Sequence, residues 1–134
     1  MATTLVDSNV VLDVITEDDE WMDWSATALS RAANVSRLAI NPLVYAEVAA
    51  RFARIEDLEE ALPPDYYQRL ALPWEAAFLA GRCFVMYRRR GGSRRSPMPD
   101  FYIGAHAAVQ DMTLLTRDSR RYRTYFPTLR IIAP

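Results

Sequence analysis

The segment that most constrains the fold is Thr4–Asn9, a short apolar run that ends in an acid and two small polar residues. An apolar pattern at helical spacing follows at once, over Val10, Val11, Val14 and Ile15. A strand that turns directly into a helix is typical of parallel α/β sheets, in which ligand sites lie beyond the carboxyl ends of the strands. The acid at this turn is therefore either a helix cap or the beginning of a functional site.

The rest of the chain alternates strands and helices, and the predicted order is β-α-α-β-α-α-β-α-α-β-α-β. Four further apolar stretches are predicted to be strands: Leu38–Ile40, Tyr67–Leu72, Leu114–Thr116 and Leu129–Ile132. The connections between them are long enough to cross over, which favours a single parallel sheet with helices on both faces. A chain of 134 residues has the length of one domain, and we predict one domain over residues 1–134.

The composition excludes several classes of enzyme. All 16 Lys and Arg residues are arginine, so a P-loop would lack its lysine and Schiff-base catalysis would lack its amine. The single histidine, His106, has no Ser or Cys motif with which to form a catalytic triad. No apolar run has the length of a membrane span and no secretory signal is visible, so we expect no membrane association and a cytoplasmic location.

Four acids fall where the predicted sheet would gather them. Asp7 and Asp118 each follow a strand, which puts both at a carboxyl end. Glu47 lies in the second turn of the helix after the second strand, and Asp100 opens the helix that leads into the fourth. Because such helices run antiparallel to the strands they join, all four acids are expected at the same edge of the sheet.

Each acid also has an ordinary explanation. Asp7, Asp100 and Asp118 occupy positions typical of helix caps, which contribute about 1 kcal/mol each, and Glu47 could pair with Arg51 one turn later. Clustering would cost more, because two carboxylates about 4 Å apart repel by roughly 4 kcal/mol at an effective dielectric near 20. A shared cation removes that cost, and a set of oxygen ligands favours Mg²⁺ or Mn²⁺. The pattern leaves two interpretations, separate caps or a divalent metal site for phosphodiester chemistry.

Four segments have the order and spacing of motifs in a known family: Asp7–Asn9, Glu47 on a helix that begins with proline, Pro99–Ala105, and Leu115–Asp118. Together they resemble the PIN domain family, and more narrowly the VapC-type toxins of bacterial and archaeal toxin–antitoxin pairs. The resemblance implies a three-layer α/β/α domain around a five-stranded parallel sheet. It also implies a Mg²⁺- or Mn²⁺-dependent endoribonuclease that inhibits translation, forms homodimers and is blocked by a cognate antitoxin.

The same resemblance assigns roles to individual residues. The catalytic and metal-binding residues that it implies are Asp7, Glu47, Asp100 and Asp118. Ser8 and Thr116 match small hydroxyl positions that support these acids, and Asn9 matches a position that is commonly polar. Asp13 is often acidic in relatives but points along the first helix, and we expect its role to be structural.

Two groups of arginines flank the predicted acids. The residues that we predict to contact RNA are Arg88, Arg89, Arg90, Arg94, Arg95 and Arg117. Arginine binds phosphate bidentately and with salt-sensitive affinity, although the same residues would also serve as a solubilising surface. Two other functions stay open, a housekeeping nuclease that processes RNA with the same site and a catalytically silent PIN-like binding module.

Overall fold

The computed structural model describes every residue from Met1 to Pro134, and its elements follow the predicted order. The five strands are β1 (Thr3–Val6), β2 (Arg37–Ile40), β3 (Gln68–Arg69), β4 (Thr113–Leu115) and β5 (Ile131–Ile132). The seven helices are α1 (Ser8–Ile15), α2 (Met22–Val35), α3 (Pro42–Ala49), α4 (Ile55–Ala61), α5 (Trp74–Arg89), α6 (Pro99–Val109) and α7 (Arg120–Tyr125). None of these helices is both long enough and apolar enough to cross a lipid bilayer.

The strands form one parallel sheet in the order β3-β2-β1-β4-β5. Its centre is β1, in which Leu5 is in register with Ala39 of β2 on one side and Leu114 of β4 on the other. Successive residues of a strand point to opposite faces of a sheet, and both Leu5 and Val6 are fully buried. Helices therefore cover both faces, and the predicted α/β architecture with a central five-stranded parallel sheet is confirmed.

The helices that carry the candidate residues begin at signals present in the sequence. Asp7 caps α1 by accepting a hydrogen bond at Oδ1 from the Ser8 N–H at 2.8 Å. Asn41 caps α3 by accepting from the Val44 N–H at 3.0 Å, and both α3 and α6 have proline in their first turn. Ser, Asp and Asn caps and an early proline favour helix initiation. Helices α1 and α3 directly follow the carboxyl ends of β1 and β2, and α6 leads back to the start of β4, so all three helices begin at the carboxyl edge of the sheet.

A single cluster of 27 buried hydrophobic residues forms the core. Its aromatic part lies where α5, α6 and α7 meet, and the ring of Phe101 packs edge to face against Tyr87 and Tyr125, at centroid distances of 5.8 and 5.0 Å. Gly104 of α6 lies against the ring of Phe126, which a β-carbon at that position would overlap. The small residues of α6 thus permit close contact with the segment that follows α7.

Both edge strands are shorter than predicted. The expected strand Tyr67–Leu72 is reduced to Gln68–Arg69, and the expected strand Leu129–Ile132 is reduced to Ile131–Ile132. Leu129, where the last strand was predicted to begin, donates its N–H to the Phe126 carbonyl at 3.0 Å and so belongs to a turn. An edge strand has a pairing partner on one side only, so little backbone bonding is lost when it is short, and a short edge exposes fewer unpaired groups.

Candidate active site at the carboxyl edge of the sheet

The turn between β1 and α1 is the anchor of the site. Asp7 is 4% exposed, and three donors hold its carboxylate. The Ser8 N–H donates to Oδ1 at 2.8 Å, while the hydroxyls of Thr116 and Tyr122 both donate to Oδ2 at 2.9 Å. Its own N–H continues the sheet by donating to the Leu115 carbonyl at 2.8 Å. Asp7 is therefore a helix cap and a member of a wider polar network at the same time.

The second residue of the turn joins α1 to α3. The hydroxyl of Ser8 donates to Oε1 of Glu47 at 2.9 Å, across 39 residues of sequence. None of the five ion pairs in the structure joins Glu47 to Arg51, so the alternative pairing considered for Glu47 is wrong. Helix α3 begins at the same sheet edge as α1. Glu47, in its second turn, therefore lies near the end of β1 and bonds to Ser8 rather than to Arg51.

The third residue of the turn reaches the loop after β4. The amide of Asn9 donates to Thr116 Oγ1 at 3.3 Å and accepts from the Arg117 N–H at 3.1 Å. Thr116 is fully buried, and its hydroxyl donates to Asp7 and accepts from the Asp118 N–H at 3.2 Å. Asn9 and Thr116 thus fix the loop after β4 against the loop after β1, which is where the two central strands end.

Helix α7 supplies two residues that contact Asp100. Nη1 of Arg121 lies 3.1 Å from Oδ2 of Asp100 and forms an ion pair with it. Tyr122 is 1% exposed, and its hydroxyl, which is bonded to Asp7, lies 3.4 Å from Oδ1 of Asp100. Tyr122 therefore stands between two of the predicted acids and connects them through one hydroxyl.

The carboxylates of Asp7, Glu47 and Asp100 share one electrostatic environment. Burial and the nearby charge of Asp100 raise the pKa of Asp7 to about 6. Partial burial and Asp100 also raise the pKa of Glu47, against the opposing effect of the hydrogen bond from Ser8. Burial and all three acids raise the pKa of Tyr122 well above its usual value, so its hydroxyl is protonated at neutral pH. This edge of the sheet therefore carries an excess of negative charge, which nearby arginine side chains offset only in part.

Asp118 stands apart from this group. Its side chain is exposed, and Oδ1 accepts from the Arg120 N–H at 3.4 Å, but the N-cap of α7 is Ser119, so Asp118 is not the cap that the sequence suggested. It shares with Asp100 a groove of about 450 Å³, whose other lining residues are Tyr87, Arg120, Arg121, Thr124 and Tyr125. The structure thus brings three of the four predicted acids together and places the fourth in the adjoining groove.

Comparison with known protein families decides how this arrangement is classified. The family model of the PIN domain matches residues 4–127, a stretch that includes all four acids. The chain belongs to the PIN domain family. Comparison with curated protein sequences found no match.

Solved structures with the same fold support the PIN assignment. The chain is similar to VapBC2 from Rickettsia felis bound to a promoter DNA fragment, with a TM-score of 0.75 and 17% identity over 98% of each chain. It is also similar to VapBC-1 from nontypeable Haemophilus influenzae, with a TM-score of 0.73 and 15% identity over 98% of this chain and 97% of the other. A toxin–antitoxin complex from Klebsiella pneumoniae matches with a TM-score of 0.65 and 19% identity over 96% and 95%. At these identities the likeness is evidence for the fold.

The acidic edge of this PIN domain has the donor chemistry of a hard-metal site. Asp7 and Glu47 have no arginine partner, and Asp7 is nevertheless buried beside Asp100. A divalent cation with oxygen ligands would offset this charge, so the residues fit Mg²⁺ or Mn²⁺. No three acidic, histidine or cysteine side chains lie close enough together to ligate one ion by themselves. Water or substrate oxygens would therefore complete the coordination shell, as is usual for Mg²⁺.

The arginines predicted to contact RNA differ in what they already bind. Arg117 is engaged within the protein, because its guanidinium pairs with Asp13 at 2.9 Å and lies over the ring of Trp21. Arg88 donates to two backbone carbonyls of the loop that follows α5, at 3.1 and 3.0 Å. The remaining predicted arginines are exposed and make no ion pair: Arg89, Arg90, Arg94 and Arg95.

Two contacts with the acids were missed by sequence reasoning, the hydroxyl of Tyr122 and the ion pair of Arg121. The segment of α7 looks like a short basic helix, in which Tyr122 and Tyr125 are the aromatic residues, three positions apart. That spacing indicates the inward face of a helix and is the signal that would have identified Tyr122. The structural role predicted for Asp13 agrees with its burial and with its bonds to Ser25 and the loop after β4.

Proposed function

We propose that this PIN domain, over residues 1–134, is a Mg²⁺- or Mn²⁺-dependent endoribonuclease, and that it is the toxin of a toxin–antitoxin pair and inhibits translation in the cytoplasm. The observation that carries the proposal is the convergence of Asp7, Glu47 and Asp100, with the pKa of Asp7 raised to about 6 by burial and by Asp100. Holding like charges together costs stability, and perturbed carboxylates in such clusters are typical of functional sites.

The site residues divide into those that would hold a cation and those that orient them. A bound cation would supply Lewis acidity toward a water molecule and toward the scissile phosphate. Ser8 and Thr116 keep the carboxylates of Glu47 and Asp7 in place through hydrogen bonds of 2.9 Å. The residues proposed to hold the cation, directly or through bound water molecules, are Asp7, Glu47, Asp100 and Asp118.

RNA is the proposed substrate because of the groove beside the acids. Arginines of the groove would contact phosphates, and tyrosines such as Tyr125 would stack on unpaired bases. The guanidinium of Arg90 lies 5.2 Å from the centre of the Tyr125 ring, so the basic loop after α5 adjoins the groove. The groove arginines proposed as phosphate contacts are Arg120 and Arg121, and those of the loop are Arg89, Arg90, Arg94 and Arg95.

Cleavage of single-stranded RNA by the purified chain tests the proposal. We expect cleavage with Mg²⁺ or Mn²⁺, none with EDTA, and products with 5′-phosphate and 3′-hydroxyl ends. Asp7→Asn and Asp100→Asn should lose cleavage and keep the fold. Asp57→Asn, which changes an exposed acid on α4, should cleave like the wild type. Metal-dependent cleavage at the wild-type rate by Asp100→Asn would contradict the assignment.

A cognate antitoxin is the proposed protein partner. The support is that one of the similar solved structures is described as a toxin–antitoxin complex. We expect a small DNA-binding protein encoded immediately upstream to bind this chain and block cleavage. A chain that cleaves RNA and has no such neighbour would instead favour the housekeeping nuclease that processes RNA.

A homodimer is the proposed assembly. Helix α5 exposes Trp74 by 89% and Phe78 by 73%, one turn apart, and contiguous exposed apolar surface marks contact sites between proteins. We propose that a second copy of the chain covers these side chains. Light scattering should give twice the chain mass for the wild type and the mass of one chain for Trp74→Ser/Phe78→Ser.

A second candidate function, a binding module without cleavage, is favoured by one observation. Arg121 pairs with Asp100 and so offsets one of the three clustered charges. If neither the wild type nor Arg121→Ala cleaves RNA with any divalent metal, while both bind it, this candidate replaces the nuclease.

A further inference from the structure

The hydroxyl of Tyr122 has one proton and two carboxylates within reach. It lies 2.9 Å from Oδ2 of Asp7 and 3.4 Å from Oδ1 of Asp100. Hydroxyl-to-oxygen hydrogen bonds are usually 2.5–3.0 Å long, so the proton is directed to Asp7. The Tyr122 oxygen then faces Asp100 across a wider gap.

The bond from Tyr122 decides how the carboxylate of Asp7 is used. Oδ2 accepts from both Tyr122 and Thr116, whereas Oδ1 accepts only from the Ser8 N–H. Each carboxylate oxygen has about two acceptor positions. Oδ2 is therefore fully occupied by protein donors, and Oδ1 is the oxygen with an acceptor position left for another ligand.

The same helix also holds the second acid. Arg121 contacts Oδ2 of Asp100 at 3.1 Å, while the neighbouring Tyr122 faces Oδ1. Ser119 and Asp118 lead into this helix from the end of β4. A shift of α7 would therefore move the contacts of Asp7 and Asp100 together.

We infer that Tyr122 is a positioning residue for the metal-dependent reaction: its hydroxyl orients Asp7 so that Oδ1 is left for the cation, and it sets the spacing between Asp7 and Asp100. This inference rests on the proposed function. Groups that orient a metal ligand through a hydrogen bond typically change metal affinity or activity by 10- to 100-fold when they are removed. The aromatic ring contributes packing and would be kept by phenylalanine.

Mn²⁺ binding to the full chain, measured by the EPR signal of free Mn²⁺, tests the inference. Tyr122→Phe should raise the dissociation constant for Mn²⁺ by about tenfold, with an unchanged far-UV circular dichroism spectrum. Cleavage by the variant should return toward the wild-type rate when Mn²⁺ is raised by the same factor. A purely structural role of the ring would leave the dissociation constant unchanged.

Two further variants make the result specific. Tyr66→Phe removes an exposed tyrosine hydroxyl that contacts none of the acids, and it should bind Mn²⁺ like the wild type. Tyr122→Leu also removes the hydroxyl donor, but it replaces the ring with a side chain of different shape. Its affinity for Mn²⁺ should fall as that of Tyr122→Phe does, so the test needs only one of the two variants to fold.

The inference and the proposed function fail in different ways. Wild-type affinity for Mn²⁺ in both Tyr122 variants would overturn the inference while the wild type still cleaves RNA. A wild type that binds Mn²⁺ but does not cleave RNA would overturn the proposed function. In that case, a larger dissociation constant for Mn²⁺ in Tyr122→Phe would still support the positioning of Asp7 by Tyr122.

Discussion

Arg117 and Asp13 form a two-point ion pair, in which Nε lies 2.9 Å from Oδ2 and Nη2 lies 3.2 Å from Oδ1. The Asp13 side chain is 4% exposed and also accepts from the Ser25 hydroxyl at 2.7 Å. The pair ties the loop after β4 to the buried side of α1. It also accounts for an arginine that sequence reasoning assigned to RNA.

Arg117→Ala is therefore expected to destabilise the fold. Removing one partner of a buried pair costs about 3–5 kcal/mol, and we expect about 2 kcal/mol here because Arg117 is partly exposed. The free energy of unfolding in urea measures the loss. Arg94→Ala, which changes an arginine without an ion pair, is the control and should unfold like the wild type. An Arg117→Ala protein of unchanged stability and weaker RNA binding would support the predicted RNA contact of Arg117 and contradict this expectation.

Thr116→Val should weaken metal binding and cleavage by 10- to 100-fold, because it removes the hydroxyl that donates to Asp7 at 2.9 Å. Thr116→Ser keeps the hydroxyl and should retain most of both. Isothermal titration with Mn²⁺ and an RNA cleavage assay measure the two effects. Equal Mn²⁺ affinity in the valine and serine variants would show that this hydroxyl does not orient the acid.

The raised pKa of Asp7 predicts how the stability of the metal-free protein depends on pH. The folded protein holds the proton of the Asp7 carboxyl more tightly than the unfolded chain does. The stability that this protonation contributes is therefore fully present below pH 3.8 and is lost as the pH rises through about 6. The shift from 3.8 to about 6 corresponds to about 3 kcal/mol. Urea unfolding in EDTA between pH 3.5 and 7.5 should show this loss for the wild type.

The Asp7→Asn variant separates this effect from those of other titrating groups. The difference in unfolding free energy between the wild type and Asp7→Asn should change by about 3 kcal/mol over that pH range. Addition of Mg²⁺ at pH 7.5 should raise the free energy of unfolding of the wild type and leave that of Asp7→Asn unchanged. A difference that does not vary with pH would mean that Asp7 titrates normally.

The exposed arginines of the loop after α5 should contribute to RNA affinity through charge. Arg94→Ala/Arg95→Ala is expected to reduce the slope of log affinity against log salt by about 1.4, since each phosphate contact to a single strand contributes about 0.7. Binding is measured in EDTA to prevent cleavage. The matched control is Arg130→Ala, which changes an arginine that pairs with Asp111. An unchanged slope in the loop variant would remove Arg94 and Arg95 from the RNA footprint.

Much of the fold could be predicted because its signals are local. The apolar strands, the Asn41 cap and the proline at the start of α6 act on neighbouring residues, and the order of elements follows from them. The length of the edge strands could not be predicted in the same way. How far β3 and β5 extend depends on pairing with one distant neighbour and on turns such as the one at Phe126.

In the candidate site, too, some features follow from the sequence and others depend on tertiary packing. The shared edge was predictable, because parallel topology carries Asp7 at the end of β1, Glu47 in α3 and Asp100 in α6 to the same side of the sheet. Which donor each acid contacts was not, since Tyr122 lies 115 residues from Asp7 and the choice depends on how α7 packs. The spacing of Tyr122 and Tyr125 marks an inward face of α7, but it does not say which carboxylates that face contacts.

The central position of β1 has a consequence for synthesis of the protein. Strand β1, which leads into Asp7, is made before the other four strands, yet its partner β4 and the donors Thr116 and Tyr122 are made more than 100 residues later. Pairing between distant strands waits until both are available. The polar network around Asp7 is thus expected to assemble late, only once α7 has emerged from the ribosome.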